Sequence, residues 1–103
     1  MCDIVRLIPV EERIVRGNID RKAKRDEARE VFARVSSIGE KEFYDASQAG
    51  FELSLRADVW LDEYAGEGLL IHEGQEYRIV RTYRNARTRR MELYCEKAKG
   101  REG

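Results

Sequence analysis

The chain is 103 residues long (12.1 kDa), and its 20 basic and 20 acidic side chains give a formal net charge of zero. That length fits one domain, and a chain of this mass buries about 65% of its unfolded surface, enough for a core without disulfides or metal. The charged fraction is 39% and no apolar run reaches the ~18–20 residues of a bilayer crossing, which excludes a helical membrane span, while zero net charge argues against a surface that grips nucleic acid all over.

The opening Met1-Cys2-Asp3-Ile4-Val5-Arg6 has no basic segment ahead of a long apolar stretch, so no secretory signal and an intracellular setting are expected. Residues 3–8 are apolar enough for a first strand. In 10–27 charge dominates and only Ile14, Val15 and Ile19 stand out as apolar, so the expectation is a long charged loop or mobile arm with at most a short strand. Residues 30–36 put Val31, Ala33 and Val35 on one side, as a strand would. Ser37-Ile38-Gly39-Glu40 fits a capping box, and 41–49 carries helix formers up to Gly50, a helix stop. Phe43 and Ala46 give that helix only a narrow apolar edge, so it is expected to be weakly anchored.

The clearest periodicity lies in 51–61. Phe51, Leu53, Leu55, Ala57, Val59 and Leu61 share one face; Glu52, Ser54, Arg56, Asp58 and Trp60 share the other. Alternation with period two is a half-buried strand. Residues 69–72 and 76–83 are two more strands around the tight turn Glu73-Gly74-Gln75, and 90–97 repeats the alternation with Met91, Leu93 and Cys95 opposite Glu92, Tyr94 and Glu96. The expected fold is therefore mainly all-β: a small antiparallel barrel of about six strands. One short helix is inserted between the second and third strands, and the expected core holds Leu53, Leu55, Val59, Ile79, Leu93 and Cys95. The chain is expected to form a single domain over 1–103, with 98–103 as a flexible tail.

Chemistry is sparse. Cys2 and Cys95 with the single His72 supply no four-ligand metal set and no Cys-x-x-Cys. Gly66-Glu67-Gly68 lacks the rest of a phosphate loop. Asp62-Glu63 are neighbours in a charged loop, and nothing assembles a nucleophile, a base and an orienter. No catalytic, cofactor-binding or metal residue is expected, and the chain is not expected to be an enzyme. Charge is unevenly spread instead. From residue 78 onward there are 9 basic and 3 acidic residues, whereas the first 77 carry 11 basic and 17 acidic. Arg78, Arg81, Arg84, Arg87, Arg89 and Arg90 crowd 78–90. Such polarity suits phosphate contacts, head-to-tail assembly, or a solvated hairpin. Trp60 lies opposite the apolar stripe of its strand, so it is either covered by the 10–27 segment or used against another chain.

Together these segments resemble the head–tail joining family of long-tailed phages and prophages, the head-closure (stopper) and head–tail adaptor proteins. The resemblance rests on Val31-Phe32-Ala33-Arg34-Val35, Gly39-Glu40-Lys41-Glu42, the strand ending in Arg56, Gly74-Gln75-Glu76-Tyr77-Arg78-Ile79 and Met91-Glu92-Leu93-Tyr94-Cys95, in that order and spacing over about 28–97. Phe32 stands where tryptophan is commoner, and the first loop is longer and more charged than usual. The resemblance implies a structural virion protein at the head–tail interface, present in the bacterial cytoplasm during assembly. It would form a ring with its own copies (dodecamer or hexamer) between the portal/adaptor ring and the tail proteins. Double-stranded DNA would pass through transiently, with no small-molecule substrate, membrane or cofactor. The inserted segment would be the channel gate, with Glu40, Glu42, Phe43 and Asp45 as its candidate residues, the acids repelling passing DNA. Trp60, Arg84, Arg87 and Arg89 are the candidate subunit or partner contacts. The alternative is a small β-barrel nucleic-acid-binding module that uses the arginines of 78–90.

Overall fold

The computed structural model describes residues 2–98. In chain order the elements are β1 (Cys2–Ile8), β2 (Val10–Val15), β3 (Asn18–Ala23), β4 (Arg29–Ser36), α1 (Glu40–Gln48), β5 (Leu53–Trp60), β6 (Leu69–His72), β7 (Gln75–Asn85) and β8 (Arg90–Lys97), with single 3-10 turns at Arg25–Glu27 and Leu61–Glu63. Six strands close an antiparallel barrel in the order β1-β4-β5-β8-β7-β6, and β6 pairs back to β1. Closure leaves no free sheet edge in the barrel. Inward residues alternate as the sequence pattern requires: Val5 and Leu7 on β1, Val31 and Ala33 on β4, Leu55, Ala57 and Val59 on β5, Leu93 and Cys95 on β8. Burial in this core pushes the Cys95 thiol up to about 12, so it stays protonated and inert. Ile79 packs half-buried against the same cluster.

Two registers slip, one between Leu53 and Leu55 and one between Ile79 and Arg81. The slips put Leu53 in a second cluster outside the barrel, with Ala46 and Tyr94 and with half-buried Ile38, Phe51 and Val80 around them. Leu53 is thus buried as expected, but beneath the helix rather than in the barrel core. A bulge re-aims side chains in this way.

The 10–27 segment is not the expected loop. β2 and β3 form a separate two-stranded sheet around Arg16-Gly17, both with positive φ (53° and 82°) as a two-residue hairpin turn requires. Its ladder is built from opposite charges: Glu11 faces Lys22, Glu12 faces Arg21 and Arg13 faces Asp20. These two strands also displace the helix in the element order. It falls between β4 and β5, not between the second and third strands. Its capping differs too. Gly39 is the N-cap with no side-chain bond, so the Ser37–Glu40 box does not form. The C-terminus behaves as read: Gly50 takes φ +92°, its N–H bonds the Ser47 carbonyl (3.0 Å), and the Phe51 N–H bonds the Ala46 carbonyl (2.9 Å). Of the expected 98–103 tail, Ala98 bonds the Glu76 carbonyl (3.0 Å), and 99–103 lie outside the described residues.

The root of the β2–β3 hairpin presses on the barrel at Gly68. The Gly68 N–H bonds the Ile8 carbonyl (3.2 Å), and a Cβ on Gly68 would lie 3.0 Å from Val10 Cγ2 and 3.3 Å from its Cβ. Val10 is β-branched and cannot swing aside. Gly68→Ala is therefore expected to cost about 1–3 kcal/mol in thermal unfolding, and adding Val10→Ala should recover most of the loss. A single variant as stable as the parent would contradict this close approach.

Candidate functional site

The outer face of β5, β7 and β8 carries a connected polar network. Arg56 forms a fork onto Asp58 through Nε (2.8 Å) and Nη2 (3.0 Å), and Nη2 also reaches Glu92 Oε2 (3.1 Å). The Tyr94 hydroxyl donates to Glu92 Oε1 (2.7 Å), and Asn85 Nδ2 donates to Glu92 Oε2 (3.1 Å). The Tyr94 ring lies between two guanidiniums, with Arg81 centred 5.0 Å and Arg56 5.8 Å from its centroid. Both Glu92 and Tyr94 are buried, although the alternation put them on the outward side. Ala46 of α1 packs on Tyr94, and the side chains of Arg56, Asn85 and Tyr94 surround Glu92.

The electrostatics follow from this burial. Desolvation pushes the Glu92 carboxyl up, but the hydrogen bonds from Tyr94 and Asn85 and the Arg56 charge outweigh it and hold it below its ordinary value. Burial, then the bond to Glu92, raises the Tyr94 phenol to about 12. The bond to Asp58 raises Arg56 further above its ordinary range, against the opposing cost of desolvation.

This network divides the arginines that the sequence presents as one run. Arg78 pairs with Glu96, and Arg81 pairs with Glu42 of α1. Arg90 lays its guanidinium 3.6 Å above the Trp60 ring and donates to the Asp58 carbonyl (3.3 Å). Arg84, Arg87 and Arg89 are exposed and have no acidic partner among the described residues. They stand at the β7–β8 tip, which the network braces: Asn85, tied to Glu92, accepts the N–H groups of Arg87 (3.2 Å) and Thr88 (3.3 Å) on its Oδ1. Arg89 takes φ +60°, and its carbonyl accepts the Leu61 N–H (3.0 Å). Trp60 is 44% exposed, and Arg90, not the 10–27 segment, supplies its cover.

The expected gate residues lie farther along the strands. Glu40 opens α1 and is exposed; Asp45 pairs with Lys41 (3.0 Å). Glu42 is held by Arg81. Of the narrow apolar edge, Phe43 is 45% exposed and Ala46 is buried. The helix is therefore held by the buried Ala46 and by the exposed Glu42–Arg81 pair, a light attachment that agrees with the expected weak anchoring. Arg81 pairs across the ladder with Tyr94 and Tyr94 with Arg56, four residues before Trp60. At ~3.3 Å per strand residue, the helix contact and the tryptophan are roughly 13 Å apart. Trp60 and the arginine tip are brought together; the gate residues form a separate group.

Two further clusters had no signal in residue spacing. Glu67 is buried and receives Arg29 Nη2 (2.6 Å), Arg29 Nε (3.1 Å) and the Ala65 N–H (2.9 Å). Desolvation again raises its carboxyl, and the Arg29 and backbone bonds overcome this and hold it below the ordinary value. Barrel closure also brings His72 Nε2 to 3.1 Å from Asp3 Oδ2 and 4.0 Å from Glu73 Oε2, three donor atoms within 4.8 Å that could hold a metal ion. The Asp3–His72 hydrogen bond accounts for the arrangement without one.

Compared with known proteins, the chain matches no family model, and no curated protein matches it.

Glu67 and Glu92 are more acidic folded than unfolded. The stability they contribute is complete above the ordinary glutamate value of about 4.3 and is lost as pH falls through their lowered folded values. Melting temperature should therefore drop below about pH 4.3. Glu92→Gln is expected to cost about 1.5–3 kcal/mol at pH 7 and to flatten that acid limb. An unchanged acid limb in the variant would remove Glu92 from this role.

Proposed function

We propose that this chain is a head–tail joining protein of a long-tailed phage or prophage: a structural component that forms a ring between the portal/adaptor ring and the tail proteins and completes the DNA channel. The ordered motifs over about 28–97 resemble that family, and a closed barrel with an inserted helix is consistent with it. One observation carries the reading further. The chain uses its arginines selectively, pairing Arg78 and Arg81 internally and leaving Arg84, Arg87 and Arg89 without an acidic partner among the described residues, on a braced tip beside Trp60 and Arg90. The turn backbone beneath them is already ordered by Asn85, so binding need not order it again, and the tip suits acidic groups on a neighbouring subunit or adaptor. In this reading α1 is the channel segment, with Glu40, Glu42, Phe43 and Asp45 along the passage. The Glu42–Arg81 pair is the latch that keeps it against the barrel in the isolated chain.

The same tip supports the second reading, a nucleic-acid-binding barrel, and one set of variants separates the two. Arg84→Ser, Arg87→Ser and Arg89→Ser combined should leave stability within about 0.5 kcal/mol, because exposed charges contribute little. The triple variant should fail to join filled heads to tails in an assembly assay, and normal joining would contradict the role. If the tip instead binds free DNA, affinity should fall with salt at a log–log slope of about −2 to −3 for three phosphate contacts. The triple variant would then lose that binding. Such binding at about 150 mM salt would favour the second reading.

A further inference from the structure

The seam that closes the barrel is paired over only part of its length. β1 runs beside β4 from Cys2 to Leu7, but its ladder to β6 is confined to Arg6↔Ile71, Leu7↔Leu70 and Ile8↔Leu69. Toward the start of β1, Asp3 reaches the end of β6 through its side chain instead. Alternation places Asp3 on the inward side with Val5 and Leu7, and His72 on the inward side with Leu70. His72 Nε2 is 3.1 Å from Asp3 Oδ2, and the His72 side chain is 12% exposed. The turn between β6 and β7 is Glu73-Gly74, both residues with positive φ, and His72 pairs with Gln75 across it. So short a turn fixes Glu73 beside the strand end, and Glu73 Oε2 lies 4.0 Å from the same imidazole nitrogen.

The Asp3–His72 hydrogen bond is sufficient to hold those two side chains together, but it uses one carboxylate. A second carboxylate turned to the same nitrogen adds negative charge that this bond does not balance. Neither Asp3 nor Glu73 has a lysine or arginine partner among the described residues, whereas Glu30, Glu67 and Glu76 on the surrounding elements each have an arginine. We propose that Asp3, His72 and Glu73 form a binding site for a divalent transition-metal ion of the zinc class, which bolts the open part of the β1–β6 seam.

The spacing suits such an ion. Nitrogen and oxygen ligands about 2.0–2.2 Å from a tetrahedral ion stand roughly 3.3–3.6 Å from one another. The Asp3–His72 pair is already close to that separation, and the three donor atoms lie within 4.8 Å. Glu73 has less than an ångström to travel toward the nitrogen, and its side chain is 81% exposed and free to make the move. On binding, the imidazole carries its hydrogen on Nδ1 and turns the Nε2 lone pair to the ion. One imidazole with two carboxylates favours zinc-like ions over magnesium or calcium, which take oxygen ligands in larger number. Three protein ligands leave the fourth position to water.

The chain suits a direct test, because His72 is its single histidine and Cys2 its one exposed thiol. Calorimetric titration of the Cys2→Ser chain with ZnCl₂ should show saturable binding of one ion per chain, with no competition from equimolar MgCl₂. His72→Ala in that background should abolish the binding. Glu73→Gln, an exposed change that leaves the seam packing intact, should weaken it by more than the about 10- to 100-fold that loss of a ligand's supporting bond costs. In hydrogen exchange, Zn²⁺ should slow the amides of residues 3–5 and 72–75 and leave those of α1 unchanged, since the ion joins the two sides of the seam. Absence of saturable binding, affinity unchanged by Glu73→Gln, or binding without protection at the seam would each overturn the site. Binding seen in the parent and lost in Cys2→Ser would assign the ion to the thiol and overturn it equally. None of these outcomes depends on head–tail joining, so the site stands or falls apart from that reading.

Discussion

Tyr94 sits where four elements meet, and the outer half of the molecule is organised by the groups that touch it. Its ring separates the guanidiniums of Arg56 and Arg81, its hydroxyl bonds Glu92, and Ala46 of α1 packs beside it with Leu53. Burying a carboxylate costs several kcal/mol unless its lone pairs are satisfied. Here the Tyr94 hydroxyl, the Asn85 amide and Arg56 satisfy Glu92 together, so removing one partner leaves the others facing a desolvated charge. That interdependence makes β5, β7, β8 and the helix a single unit.

The functional consequence is a division of labour among like side chains. Arg56 and Arg81 are consumed by the network, and Arg81 reaches outward to hold Glu42 and with it the helix. Asn85 passes the order of Glu92 to the β7–β8 turn, so Arg84, Arg87 and Arg89 are presented from a rigid support. The proposed latch on the channel segment and the proposed contact tip thus share one foundation. Binding at the tip and movement of the helix would both be felt at Tyr94.

Where burial dictates alternation, the sequence was legible. The strands around Leu55, Ala57 and Val59 and around Leu93 and Cys95, the hairpin at Glu73-Gly74 and the helix stop at Gly50 follow from period two and positive φ. The β2–β3 hairpin was hidden because neither face is buried in the core. Its ladder consists of charge pairs, and only their mirror symmetry about Arg16-Gly17 signalled it. Glu92 and Tyr94 read as solvent-facing because alternation assigns a side but cannot tell what covers it. The division of the arginine run depended on Glu42 and Glu96, remote in sequence from the residues they neutralise. The narrow apolar edge of Phe43 and Ala46 did not say which of the two would meet the sheet: Ala46 packs beside Tyr94 and Phe43 stays 45% exposed. The Asp3–His72 and Arg29–Glu67 contacts exist only once the barrel closes.

The central claim is that one network at Tyr94 holds both the helix and the arginine tip. It is tested most directly by native-state hydrogen exchange on Tyr94→Phe, which keeps the ring and removes only the hydroxyl bonded to Glu92. A loss of about 1–3 kcal/mol corresponds to roughly 5- to 150-fold faster opening. The account predicts that amides of α1 (Glu40–Gln48) and of the 81–85 end of β7 speed up by the same factor, and by more than those of β1 and β6. Faster exchange at the tip with unchanged protection in the helix would contradict it, since the two would then be held independently.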